Sequence, residues 1–551
     1  MAGNSKKVLL GELLKQRGLI EEKHIRYALR VQKVTGEKLG EVLIHLGVVS
    51  DYDVARALSE QVGLEFIDLN KVTPDSKFLA RFNRNFCLTN KILPLWVKDS
   101  IAVVATSQVP DDRIHYNVKR FAPYEIDFRI CEETKLVTSI YNWFYFLENP
   151  IEKLLEREIQ VLSSDTTMTV SPDNFLQYLL LLAIKKRSTD IHVSSMEEGI
   201  SISFRIDGVL RHIAFLPKKL ARVITAIKLN SNMDISEQRL PQDGRWRVSL
   251  LERSYDIRVS TIVTPYGENV VLRLLSRGQG TFSLESLGFL PEHLPVLQSS
   301  FNEPFGIILL TGPTGSGKST TLIAGINSLD LLDKNVLTIE NPIEYVVPMA
   351  RQTQVNEAAG YTFAGAMRYF LRHDPDVILI GEIRDEPTTK TALSAATTGH
   401  LVLSTLHSNT ALGAIPRLIG LGADMLTLAE TLVCVVSQRL VRTVCPHCRS
   451  SRPPTQEEVD YLKTEVKEIV YGEGCEFCMD TGYLGRTVIY EILSIDSDTR
   501  RLLEKGARLY EIESLVREKG FSTLFDVGVR KVILGDTTPE ELKRVIGRFR
   551  Y

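Results

Sequence analysis

At 551 residues the chain is too long for one hydrophobic core, so three or four domains are expected. Its 44% hydrophobic and 24% charged content are those of a soluble globular protein, and a formal charge of −2 excludes a global pull toward nucleic acid or anionic lipid. No apolar run reaches a bilayer span, since the densest, Leu179 to Ile184, ends at Lys185-Lys186-Arg187 and reads as a buried helix. The N-terminal MAGNSKKVLL has no signal-peptide core, which predicts a cytoplasmic protein. Seven cysteines in that setting argue against disulfides and, where clustered, for metal.

The first seventy residues contain a repeat. Gly11, Gly18, Leu29 and Gln32 match Gly40, Gly47, Leu58 and Gln61, each offset by 29 positions. Leu10, Leu13 and Leu14 have helical spacing, as do Leu39, Val42 and Leu43, so each unit predicts two short helices around a glycine turn. The runs Ile101 to Ala105 and Glu125 to Ile130 then predict a small α/β part, completing an N-terminal module at 1–150. A polar stretch at 151–173, including Ser163-Ser164-Asp165-Thr166-Thr167, reads as a linker.

A second α/β domain is expected at 174–277. Its strands are Ile200 to Ile206, Ser254 to Thr261 and Val270 to Leu275, and they carry Arg205, Arg258 and Arg273. Taken singly, each arginine fits an ordinary solvated sheet face.

The next domain, 278–440, holds the strongest signal. An apolar run, Ile307 to Leu310, leads into Gly312-Pro313-Thr314-Gly315-Ser316-Gly317-Lys318-Ser319 and then a helix-compatible run from Thr320. This is the strand–loop–helix setting of a phosphate loop: inward N–H groups and a helix N-terminus receive an anion, Lys318 reaches the β- and γ-phosphates, and Ser319 ligates Mg²⁺. Three further apolar strands end at Glu340 to Tyr345, at Gly381-Glu382-Ile383-Arg384-Asp385 and at Ser404-Thr405-Leu406-His407. Alternating strands and helices predict a parallel sheet with its ligand at the strand C-termini. Hydrolysis needs one carboxylate near Mg²⁺, for which Glu382 is suited, and one to orient water, for which Glu344 and Glu340 compete. His400 and His407 flank one strand, and either is compatible with a structural role.

Beyond the core, Cys445-Pro446-His447-Cys448 and Cys475-Glu476-Phe477-Cys478 supply two C-x-x-C pairs separated by 26 residues. One tetrahedral Zn²⁺ site at 441–490 explains both pairs better than redox chemistry does. Residues 491–551 read as a charged helical subdomain.

These motifs make the chain similar to the secretion and pilus-assembly ATPases, the hexameric motors of type II secretion and type IV pilus extension. The resemblance spans nearly the whole chain. It implies a RecA-like core, ATP and Mg²⁺ as cofactors, and nucleotide contacts from Gly312 to Thr320. It makes Glu344 the catalytic base, assigns Mg²⁺ and water to Glu382, and places His407 in a histidine box beside the nucleotide. Arg258 and Arg273 match the arginines that the preceding domain presents to nucleotide. Asn341 stands where the family usually has Asp. The four cysteines match the zinc subdomain of assembly motors. Expected partners are five more copies of the chain and an inner-membrane platform protein, which would hold the motor at the membrane periphery. A nucleic-acid translocase is disfavoured because no basic stripe is visible, and a non-hydrolysing scaffold because both Glu344 and Glu382 are present. The N-terminal repeat resembles a cyclic di-GMP module whose tandem motifs each open with arginine. Here Leu9 and Lys38 stand in those places, so weak or no binding is expected, with the module serving mainly for docking.

Overall fold

The computed structural model describes residues 9–164, 170–276, 278–279 and 282–547. They form two compact units. One draws on Met1–Lys71, Ile130–Glu132 and Gln279–Tyr551, the other on Val72–Arg129 and Glu133–Gly278.

The first unit is built on a seven-stranded sheet. Its order is Arg351–Gln354, Val336–Glu340, Val377–Ile380, Leu401–Leu406, Gly306–Thr311, Leu432–Val444, Tyr483–Ser494. Every neighbouring pair is parallel except the last. The central strands are buried along their whole length, which explains their unbroken apolar sequences. Alternation divides them between two cores: Ile308, Leu310, Leu379 and Leu403 face one side, Ile307, Leu309, Ile378 and Val402 the other. Helices cover both faces. The C-terminal helices Ser497–Glu504, Leu509–Glu518, Leu524–Ile533 and Pro539–Ile546 pack into these same cores, through Leu503 and Ile512 on one side and Leu524 and Leu542 on the other.

The repeat forms as its period predicts. Helices Leu10–Gln16 and Glu22–Thr35 flank the turn at Gly18; Leu39–His45 and Asp51–Val62 flank the one at Gly47. Leu14, Ile20, Leu43 and Val49 share one small core. The repeat sits against the nucleotide-binding sheet's surroundings. His24 Nδ1 accepts from Glu21 N–H at 2.9 Å, so Nε2 carries the proton it donates to Asp330 at 3.0 Å. Lys23 Nζ pairs with Asp330 at 2.6 Å and also with Asp333. A Cβ at Gly47 would lie 3.2 Å from that of Pro348.

The second unit contains a three-stranded sheet, Ile92–Lys98, Ile101–Thr106 and Glu125–Ile130, followed by helices Glu133–Glu148, Ile151–Ser164 and Asp173–Lys185. The stretch 151–173, expected as a linker, instead begins with the helix Ile151–Ser164, which buries Ile151, Leu155 and Leu162 and so is part of the packed unit; residues 165–169 lie outside those described. The apolar run Leu179 to Ile184 falls in the helix Asp173–Lys185, with Leu179 to Leu182 all buried. A six-stranded antiparallel sheet completes the unit, in the order Val209–Pro217, Gly199–Ile206, Ser188–Ser195, Gly267–Ser276, Arg253–Thr264, Gln242–Leu250. One face is buried and one is solvated, as the alternating sequences require.

Candidate functional site

The phosphate loop leaves the sheet at Thr311 and enters the helix Lys318–Asn327. Its backbone depends on glycine where the chain is both left-handed and crowded. Gly312 has φ 141°, and a Cβ there would meet Gln438 O at 2.5 Å; Gly317 has φ 87°, with Gln438 Nε2 only 3.1 Å from such an atom. Gln438 is a residue that sequence reasoning missed. It is 1% exposed on the neighbouring strand, its Nε2 donates to Ser316 O at 2.7 Å, and its Oε1 accepts from Thr321 Oγ1 at 3.1 Å. Thus Gln438 ties loop and helix to the sheet. The signal available was the polar run Ser437-Gln438-Arg439 interrupting the strand after the apolar Leu432 to Val436.

Lys318 Nζ donates to Gly312 O and Pro313 O, both at 3.0 Å, so the ammonium is folded over the loop. Burial pushes its pKa down, Glu382 and Glu344 pull it up, and Arg439 adds to the fall. Both carboxylates therefore lie within electrostatic reach of Lys318. Ser316 Oγ is buried and has no hydrogen-bond partner, an opening that a phosphate oxygen would fill. Pro313, Thr314, Gly315 and Ser319 are exposed around the loop, and Thr320 is partly covered. These residues suit the phosphates of a nucleoside triphosphate, and the exposed Ser319 hydroxyl is the group that would help hold Mg²⁺.

The two glutamates that competed for the water-orienting role differ sharply. Glu340 is buried on the strand Val336–Glu340, accepts from Thr338 Oγ1 at 2.7 Å and Gln352 Nε2 at 3.0 Å, and has its pKa raised chiefly by burial. Glu344 is exposed beyond the strand end. Glu382 is nearly buried, with Arg384 Nε at 2.5 Å and His407 Nε2 at 3.8 Å from its Oε2. Thr405 Oγ1 donates to Gly381 O and Ser404 Oγ to Ile380 O, which locks these adjacent strand ends together. His400 lies at the opposite end of His407's strand; its Nδ1 donates to Ala395 O at 2.9 Å, closing the helix Glu386–Thr397. Arg258 and Arg273 lie on the second unit's sheet, directly opposite each other on adjacent strands.

The four cysteines meet between the last two core strands. Their Sγ atoms lie within 4.8 Å of one another, with Cys445–Cys475 at 3.9 Å, Cys448–Cys478 at 3.8 Å and Cys475–Cys478 at 3.7 Å. A tetrahedral Zn²⁺ with bonds of about 2.3 Å requires sulfurs about 3.8 Å apart, whereas a disulfide requires about 2 Å. Cys478 Sγ also accepts N–H bonds from Cys475 and Gly482, both at 3.2 Å, which favours a thiolate.

Residues 170–544 match the family described as Type II/IV secretion system protein, and residues 62–145 match the MshEN domain. The type IV pilus assembly ATPase PilB of Thermus thermophilus is 36% identical over 97% of this chain, which spans 65% of that relative's length. PilB of Myxococcus xanthus is 33% identical, over 97% of this chain and 98% of its own. The type II secretion system protein E of Aeromonas hydrophila is 45% identical over 67% of this chain and 74% of its own. Among solved structures, the Legionella pneumophila ATPase DotB superposes with a TM-score of 0.52 at 23% identity, covering 69% of this chain and 97% of its own, a likeness of fold. The chain belongs to the type II/IV secretion system protein family and is an ATPase of the kind that serves type IV pilus assembly and type II secretion.

Proposed function

We propose that this ATPase is a cytoplasmic homohexameric motor at the inner membrane, which hydrolyses ATP to drive assembly of a type IV pilus or a type II secretion pseudopilus through a membrane-platform protein. The observation that carries the chemical part is the placement of Glu344 and Glu382 in the field of Lys318, at strand ends around one phosphate loop. Glu344, exposed and within electrostatic reach of that loop's lysine, orients and deprotonates the attacking water. Glu382 holds the metal's shell with Ser319, and His407 beside it faces the nucleotide. Bound Mg²⁺ supplies charge neutralisation for the β- and γ-phosphates. Arg258 and Arg273 are presented to nucleotide, adding positive charge to the transferring phosphoryl group. The tetracysteine site carries Zn²⁺ as a structural ion. No helix among the described residues is long and apolar enough to cross a membrane.

The test is ATP turnover by the purified full chain, with its mass followed by sedimentation. Turnover by a species six times the monomer mass supports the reading. Stimulation by DNA would favour the translocase, and absence of turnover the scaffold.

The repeat gives a separate prediction. Leu9 and Lys38 occupy equivalent extended N-cap positions, with φ/ψ of −66°/147° and −72°/150°. Leu9 is 73% exposed and has no polar atom beyond its backbone. Each missing charged hydrogen bond costs about 1.5–3 kcal/mol, one to two decades of affinity. Calorimetry on the full chain is expected to show weak or no cyclic di-GMP binding, strengthened in Leu9→Arg; submicromolar binding by the wild type would overturn this.

A further inference from the structure

A rung of charged residues crosses the solvated face of the six-stranded sheet, next to the ion pair of Arg247 with Asp256. In register, Arg205 stands opposite Asp190, Asp190 opposite Arg273, Arg273 opposite Arg258, and Arg258 opposite Arg245. Five strands thus contribute four guanidiniums and one carboxylate to one line. Directly paired side chains in a sheet start about 5 Å apart, and like charges placed so repel. The neighbours of this rung along each strand, such as Ile191, Phe204, Ile257 and Leu272, are buried on the other face.

Asp190 is the acidic member, and it lies beneath the arginines. Its side chain is 7% exposed where that of Arg273 is 49% exposed. Its Oδ1 accepts from Arg273 Nε at 2.8 Å. Its Oδ2 accepts from Thr189 Oγ1 at 2.8 Å and lies 3.9 Å from Arg205 Nε. A carboxylate bound at Nε from below fixes the plane of a guanidinium. It leaves the edge formed by the two terminal nitrogens directed outward, the edge that grips an oxyanion in two-pronged fashion.

We propose that Asp190 is a positioning residue for ATP hydrolysis: through Nε it sets Arg273 so that its terminal nitrogens receive a phosphate oxygen of the nucleotide. This rests on the reading that Arg273 acts on nucleotide. Asp190 makes no contact with substrate itself and works only through the arginine, with Thr189 holding its second oxygen.

Steady-state ATP hydrolysis by the full chain tests it. Asp190→Asn keeps the shape and removes the charge. It is expected to lower kcat about tenfold, the weight of one charge-assisted hydrogen bond, with KM for ATP within about twofold. In an Arg273→Ala background the same change is expected to have no further effect, because the arginine it serves is gone. Arg273→Lys retains a cation for Asp190 but has no fork, and is expected to be as slow as Arg273→Ala; this arm needs no change at the buried carboxylate. A wild-type rate in Asp190→Asn alongside a slow Arg273→Ala would overturn the positioning role and leave the arginine reading intact. Equal losses with and without Arg273 would make Asp190 merely structural and also overturn it, as would a wild-type rate in Arg273→Lys. A wild-type rate in Arg273→Ala would remove the arginine reading itself, and the proposal with it.

Discussion

Glu344→Gln is expected to bind ATP normally and hydrolyse it at least ~10²-fold more slowly than the wild type, the usual weight of acid–base assistance. The substitution removes the charge proposed to polarise water while preserving the side chain's size and its exposed position. Lys318→Ala is the contrasting variant: it removes the ammonium folded over Gly312 O and Pro313 O, so the loss should appear in ATP binding first. Equilibrium binding of a labelled nucleotide and single-turnover hydrolysis separate the two. A wild-type rate for Glu344→Gln would transfer the base assignment to Glu340 or Glu382. The buried, doubly hydrogen-bonded carboxylate of Glu340 makes it the poorer of these.

Removal of metal is the second large effect. Elemental analysis of the purified chain is expected to give about one Zn²⁺ per chain. Serine at both Cys445 and Cys448 should abolish it, since two remaining thiolates cannot close a tetrahedron. Binding of a structural zinc is worth about 10–16 kcal/mol in zinc-finger peptides, so the insert between Val444 and Tyr483 should lose its order and become open to proteases. Nucleotide binding should persist, because the phosphate loop is held by Gln438, Thr321 and Ser316 rather than by the cysteines. Four freely titrating thiols in native, unchelated protein would contradict the assignment.

The phosphate loop, the strand-end glutamates and the paired cysteines were legible because each depends on local spacing: a turn of fixed length, a strand followed by a carboxylate, one knuckle per C-x-x-C pair. The 29-residue repeat was legible for the same reason, and both of its glycine turns appear at Gly18 and Gly47. What could not be read required register. That Asp190 lies between two arginines follows from strand pairing that brings Arg205, 15 positions later, and Arg273, 83 positions later, to either side of it in the sheet. Gln438 was hidden likewise, since its partners Ser316 and Thr321 are more than a hundred residues distant in sequence. The core domain read as ending at 440, yet the sheet takes its last strand, Tyr483–Ser494, from beyond the cysteines. An insert between two paired strands leaves no mark in hydrophobic periodicity.

That last strand has a temporal consequence. Tyr490 Oη accepts from Leu290 N at 2.8 Å, and Glu491 accepts from Ala411 N at 2.8 Å and Leu524 N at 3.3 Å. One short segment thus fastens stretches from before the phosphate loop, from after the histidine strand and from the C-terminal helices. On the ribosome, these anchors emerge only after all four cysteines have left the exit tunnel. The nascent nucleotide-binding sheet therefore waits, with an open edge at Leu432–Val444, while the metal knuckles are already available to close. That edge stops being an invitation to aggregate only once Tyr483–Ser494 has emerged and paired with it.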